Sequence, residues 1–157
     1  MNRRLSLLLL PLLGALVATG CGPSEPFAPV AVQLRGQAPI IRYVSCEPAL
    51  VKGFRVVKPD PERQVIEDSD PVVWQVKFDT PAKVDTASVG EPVAGATEVV
   101  PLAGPLEEGT RYEAFVELNN GTEPHIGFEL GKLAGGKVSF EDEYVSESEF
   151  AKLSSCG

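Results

Sequence analysis

The segment Arg111-Tyr112-Glu113-Ala114-Phe115-Val116-Glu117-Leu118-Asn119-Asn120-Gly121-Thr122 decides the fold class. Tyr112, Ala114, Val116 and Leu118 fall on one side of a period-2 repeat, with Arg111, Glu113 and Glu117 on the other and Phe115 facing outward. Such alternation marks a strand with one buried face. Asn120-Gly121 then supplies residues that tolerate positive φ, the strongest short signal for a hairpin turn. His125-Ile126-Gly127-Phe128-Glu129-Leu130 reads as the returning strand. Upstream, Val72-Val73-Trp74-Gln75-Val76-Lys77-Phe78-Asp79 repeats the pattern, with Val72, Trp74, Val76 and Phe78 inward and Gln75, Lys77 and Asp79 outward.

Further strands are expected over residues 40–46, 54–58, 84–89, 96–102 and 137–141, separated by Glu47-Pro48, Pro59-Asp60-Pro61, Glu91-Pro92, Gly104-Pro105 and Gly135-Gly136. Short strands at this spacing indicate an all-β sandwich or barrel. One helical signal stands at the C-terminus. Ser146-Glu147-Ser148-Glu149 fits a capping box before Phe150-Ala151-Lys152-Leu153, a short helical turn that packs Phe150 and Leu153 onto the sandwich.

The 157 residues carry 14 Lys+Arg against 22 Asp+Glu, a net charge of −8. A chain this size holds one domain. Its acidity argues against a nucleic-acid partner, which requires clustered Lys and Arg.

At the N-terminus, Arg3-Arg4 precede an apolar run over residues 5–17, then Ala18-Thr19-Gly20-Cys21. Thirteen residues are too few to cross a bilayer, which takes about 20, and match a secretory signal core. The segment resembles the precursor of a bacterial lipoprotein, with Ala18-Thr19-Gly20-Cys21 as its lipobox. The resemblance implies cleavage before Cys21, lipidation of the Cys21 thiol, and attachment to the cell membrane on its extracytoplasmic side. Losing residues 1–20 removes Arg3 and Arg4 and no acid, taking the charge from −8 to −10. Anionic headgroups repel such a chain, so acyl chains supply the attachment. Pro23, Pro26, Pro29 and Pro39 mark residues 21–39 as the lipid-bearing Cys and an extended tether. Val30 to Leu34 within it reads as an edge strand, and residues 40–157 form the sandwich domain.

Leu106-Glu107-Glu108-Gly109-Thr110-Arg111-Tyr112 resembles the corner before strand F of immunoglobulin-like and fibronectin type III domains. There the tyrosine hydroxyl bonds back to the corner backbone. The resemblance implies a small immunoglobulin-like β-sandwich in which Leu106 plugs the core, Gly109 permits the turn and Tyr112 closes the corner. Antibody-type domains place a cysteine two residues after the tyrosine; here it is Ala114, and Trp74 fills that part of the core.

In an exported chain the remaining Cys46 and Cys156 are expected to pair. They stand 110 positions apart, and closing a loop near that size stabilises by up to about 4.7 kcal/mol in the chain-entropy model. His125 is the only histidine, and the sequence contains no nucleophile elbow, phosphate loop, dinucleotide fingerprint or Cys-x-x-Cys. The acidic stretches Glu67-Asp68-Ser69-Asp70 and Glu141-Asp142-Glu143 lack EF-hand spacing and read as solvated faces. No metal or cofactor is expected. The expectation is a non-enzymatic, lipid-anchored binding module that meets an envelope protein or polymer through Phe115, Asn120 and Gly121. Two alternatives stand beside it. A β-barrel carrier of an apolar ligand requires a hollow interior. A carboxylate hydrolase requires the two acidic stretches to share a cleft.

Overall fold

The computed structural model describes residues 29–46, 49–63 and 65–154. They form two five-stranded antiparallel sheets packed face to face, the all-β sandwich expected. The first sheet has the order β10-β9-β1-β2-β5 and the second β6-β4-β3-β7-β8. The strands are β1 (Val30–Arg35), β2 (Ala38–Tyr43), β3 (Val51–Val57), β4 (Val72–Ala82), β5 (Thr86–Ser88), β6 (Ala96–Val100), β7 (Arg111–Leu118), β8 (His125–Glu129), β9 (Lys137–Phe140) and β10 (Glu143–Ser146). A single helical turn, α1 (Leu130–Leu133), follows β8, and α2 (Glu147–Leu153) follows β10.

The period-2 patterns feed one core. Phe54, Val56, Trp74, Val76, Phe78, Tyr112, Ala114, Val116, Ile126 and Phe128 from the second sheet meet Val30, Val32 and Ile41 from the first. Trp74, Phe78, Tyr112 and Phe128 lie in that one cluster, so side chains occupy the space a hollow barrel would leave for a ligand. A second, smaller cluster lies on the outer face of the first sheet. There Ala31, Val138 and Phe140 are covered by Phe150 of α2, whereas Leu153, expected to pack beside it, is 50% exposed. The capping box holds α2: the Ser146 hydroxyl accepts from the Glu149 amide, and the Glu149 carboxylate accepts from the Ser146 amide at 2.9 Å.

Four differences from the expected pattern bear on the site. First, Val30 belongs to the body: β1 runs between β2 and β9, and Val30, Ala31 and Val32 are fully buried. The span expected as tether therefore divides, its residues from 30 onward forming sandwich, with residues 21–28 outside the described residues. β1 is also an interior strand rather than an edge. Second, Val72 is 36% exposed, whereas Gln75 is buried and donates to Glu117 Oε1 at 2.8 Å. Third, Glu113, Phe115 and Glu117, expected on an open face of β7, are buried at 3%, 6% and 8% exposure. Fourth, the β9–β10 hairpin turns at Glu141-Asp142 (φ 49° and 61°), and Leu130 leaves β8 to begin α1.

Candidate functional site

The corner at the start of β7 has the geometry that its sequence implies. Tyr112 is buried, and its hydroxyl accepts a hydrogen bond from the Glu107 amide at 3.0 Å. Gly109 has φ 73°, in the left-handed region that costs a glycine little. Leu106 packs against the core. On the surface of this corner Lys58 Nζ lies 2.7 Å from Glu107 Oε2. That bond holds the Glu107 carboxyl below its ordinary pKa and the Lys58 amine above its own. The corner thereby ties the start of β7 to the end of β3.

Beyond Lys58 the chain makes a 14-residue excursion, residues 58–71, before β4. Lys58 N donates to Pro71 O at 2.9 Å and closes its base. Arg63 gathers its interior. Its guanidinium pairs with Glu67 and with the fully buried carboxylate of Asp70, and lies 3.3 Å from Asp60 Oδ2. The second oxygen of Asp70 accepts from the Glu67 amide at 2.9 Å. Much of the first acidic stretch is thus internally neutralised, and Asp70 is a buried anchor for the loop.

This loop borders the outer face of the second sheet and leaves a groove between them. One part, about 770 Å³, runs past Lys58, Val65, Ile66, Thr110, Arg111 and Glu113. The adjoining part, about 880 Å³, shares Val65, Ile66, Arg111 and Glu113 and continues past Arg55, Phe115, Glu123 and His125. Charged side chains line much of the groove. Arg111 donates through Nε and Nη2 to Glu113 Oε1, at 3.0 and 2.7 Å, an arrangement that raises the Arg111 pKa. The pair crosses β8 at Gly127, where a Cβ would stand 2.6 Å from Arg111 Nη2 and 2.9 Å from Glu113 Oε1. Arg55 lies over the Phe115 ring at 4.3 Å and pairs with Glu123 at 2.7 Å. His125 stacks on the same ring at 4.8 Å between centroids.

Phe115, expected as an outward contact residue, is therefore covered by Arg55 and His125, because cross-strand neighbours from β3 and β8 reach over its ring. Asn120 and Gly121 are exposed, but they hold their own turn. Asn120 Oδ1 accepts from the amide and hydroxyl of Thr122, and Gly121 has φ 87°. The two acidic stretches do approach one another: Glu67, Asp68, Asp70 and Asp142 all line the larger part of the groove, while Glu141 and Glu143 do not. Among the described residues, no group of three or more His, Cys, Asp or Glu side chains has the arrangement of a metal site. Cys46 follows β2. Cys156 and the lipobox residue Cys21 lie outside the described residues. No helix among the described residues is long and apolar enough to cross a membrane.

Arg55, Arg63, Val65, Ile66 and the Arg111–Glu113 pair were not singled out by the sequence patterns. One signal could have found them. The interval between the two strands is longer than most connections, and long loops are disproportionately functional. Comparison with protein-family models, with curated proteins and with solved structures finds no match.

Proposed function

We propose that the chain is a lipid-anchored envelope protein, held through Cys21 on the extracytoplasmic side of the cell membrane. In this reading the sandwich is a non-enzymatic binding module, and the groove beneath residues 58–71 is the surface that meets a protein or polymer partner. The groove carries the proposal. It has the volume of ligand sites, which run to about 1,000 Å³, and sets the apolar Val65, Ile66 and Val72 among charged side chains held in place by ion pairs. Two of the four exposed large apolar residues among the described residues support it. Val65 is 66% exposed and Val72 36%, and both line the same part of the groove. Exposed apolar side chains gathered at one cavity mark a contact surface more than scattered ones do. The engagement of Asp70 and Glu113 in ion pairs within the chain favours binding over hydrolysis as the role of these carboxylates.

The test places a photo-crosslinking residue at position 65 in intact cells and, as a control, at position 99 on β6. Val99 is 51% exposed and does not line the groove. A discrete adduct from position 65 that is absent from position 99 is expected. Equal labelling from both positions, or none from 65, would refute the groove as the contact surface.

A further inference from the structure

We infer that the groove accepts an extended cationic peptide segment of a partner protein, with Lys or Arg alternating with apolar residues. The inference rests on reading the groove as a binding surface and adds the chemistry of its occupant. Over the two parts of the groove, four Lys and Arg side chains stand against eight carboxylates. The cations are already engaged: Arg55 by Glu123, Lys58 by Glu107, Arg63 by Asp60, Glu67 and Asp70, and Arg111 by Glu113. Among the described residues Asp68 and Asp142 are exposed and make neither a salt bridge nor a hydrogen bond, yet both line the groove. The buried Nε atoms of Arg55 and Arg63 have no hydrogen-bond acceptor, but both guanidinium charges are paired, and Asp142 acts on Arg111 only at longer range, so the surplus of charge is negative and the exposed, unpaired charges are carboxylates. A cationic ligand complements them, whereas an anionic one meets repulsion.

Shape and polarity narrow the class. The groove follows β7 from Arg111 to Phe115, about 13 Å at 3.3 Å per residue, the reach of about four residues of extended chain. Val65, Ile66 and Val72 stand beside the carboxylates, so a chain lying there presents alternate side chains to apolar surface and to charge. A small polyamine would satisfy the charge and leave Val65 and Val72 uncovered. A second copy of this chain, itself at −8 before processing, would bring like charge.

The experiment measures fluorescence anisotropy of labelled peptides with the whole chain in nonionic detergent. Three peptides share one frame of alternating residues: Lys with Val, Glu with Val, and Ser with Val. The Lys/Val peptide is expected to bind saturably and to weaken as salt rises. The double variant Asp68→Asn with Asp142→Asn is expected to bind it about tenfold more weakly, at about threefold for each carboxylate removed. Asn tolerates the left-handed backbone at position 142, so that variant retains the turn. Val65→Ser, which removes an exposed side chain, is expected to weaken binding about threefold. Equal binding of the Ser/Val or Glu/Val peptide, no binding of the Lys/Val peptide, or parental affinity in the double variant overturns the inference. An adduct from the position-65 crosslinker without Lys/Val binding rejects the ligand class and keeps the groove. Loss of both rejects both.

Discussion

Asp70→Ala tests whether one buried carboxylate holds the loop over the groove. The Asp70 side chain is fully buried, and its oxygens take a charged hydrogen bond from Arg63 and one from the Glu67 amide. Bonds to charged groups contribute about 1.5–3 kcal/mol each. Arg63 keeps Glu67 and Asp60 after the change, which offsets part of the loss, so the closed loop should lose about 2 kcal/mol. At about 1.4 kcal/mol per decade, the opening constant of residues 58–71 rises about thirtyfold. Amide hydrogen exchange read residue by residue by NMR reports it. The Glu67 amide loses its Asp70 acceptor, and the Asp70 amide bonds to Glu67 O within the same turn. Both should approach the exchange rate of unstructured chain, while the amides of β7 stay protected by their pairing with β3 and β8. Unchanged protection at Glu67 and Asp70 would refute the idea that Asp70 holds the loop. Complete loss of protection in β7 would refute it differently, by making the carboxylate a support of the whole fold.

Four other predictions follow from particular contacts. Tyr112→Phe removes the acceptor of the Glu107 amide and should cost about 1 kcal/mol, or about 4 °C in melting temperature; an unchanged melt would contradict the corner. Glu149 has its pKa lowered by hydrogen bonds from Ser146, so its contribution to α2 is present above its ordinary value of 4.5 and is lost as pH falls through the lower folded value. Chemical shifts over α2 should therefore move toward random coil as pH falls below 4.5, and their constancy would argue against the capping box. Non-reducing peptide mapping should recover Cys46 joined to Cys156: Val44, two residues before Cys46, packs in the same cluster as Phe150 of α2, and Arg42 lies 5.2 Å over the Phe150 ring. Two separately alkylated thiols would count against that pairing. Cys21→Ala should move the protein from the membrane fraction to the soluble one, and unchanged retention would contradict lipid attachment.

The sandwich was legible because its strands alternate cleanly. Trp74, Val76 and Phe78, and Tyr112, Ala114, Val116 and Leu118, all lie in the core the pattern assigned them. The corner and the α2 cap were legible for a related reason, since each is closed by residues within five positions of one another. What the patterns missed depends on distant partners. A period of two separates the faces of β7 without saying that the second face is covered. Gln75 meets Glu117 across 42 positions, and Arg55 meets Glu123 across 68. Those pairings neutralise polar groups that otherwise read as solvent-facing, and they lay Arg55 across Phe115. The interior place of Val30–Arg35 was obscured by the flanking Pro29 and Pro39 and by the position of β9, more than a hundred residues later, with which it pairs at Ala31↔Phe140. The groove was least legible of all. It is made by folding a long loop onto a sheet, and its negative surplus emerges only once the internal ion pairs are known.

The most direct measurement combines the groove with its ligand chemistry: crosslinking from position 65 in isolated membranes, with and without added peptide. The account predicts an adduct from position 65 that fades as the Lys/Val peptide is added and persists with the Glu/Val peptide. An adduct that neither peptide displaces, or one that forms equally from position 99, would contradict it.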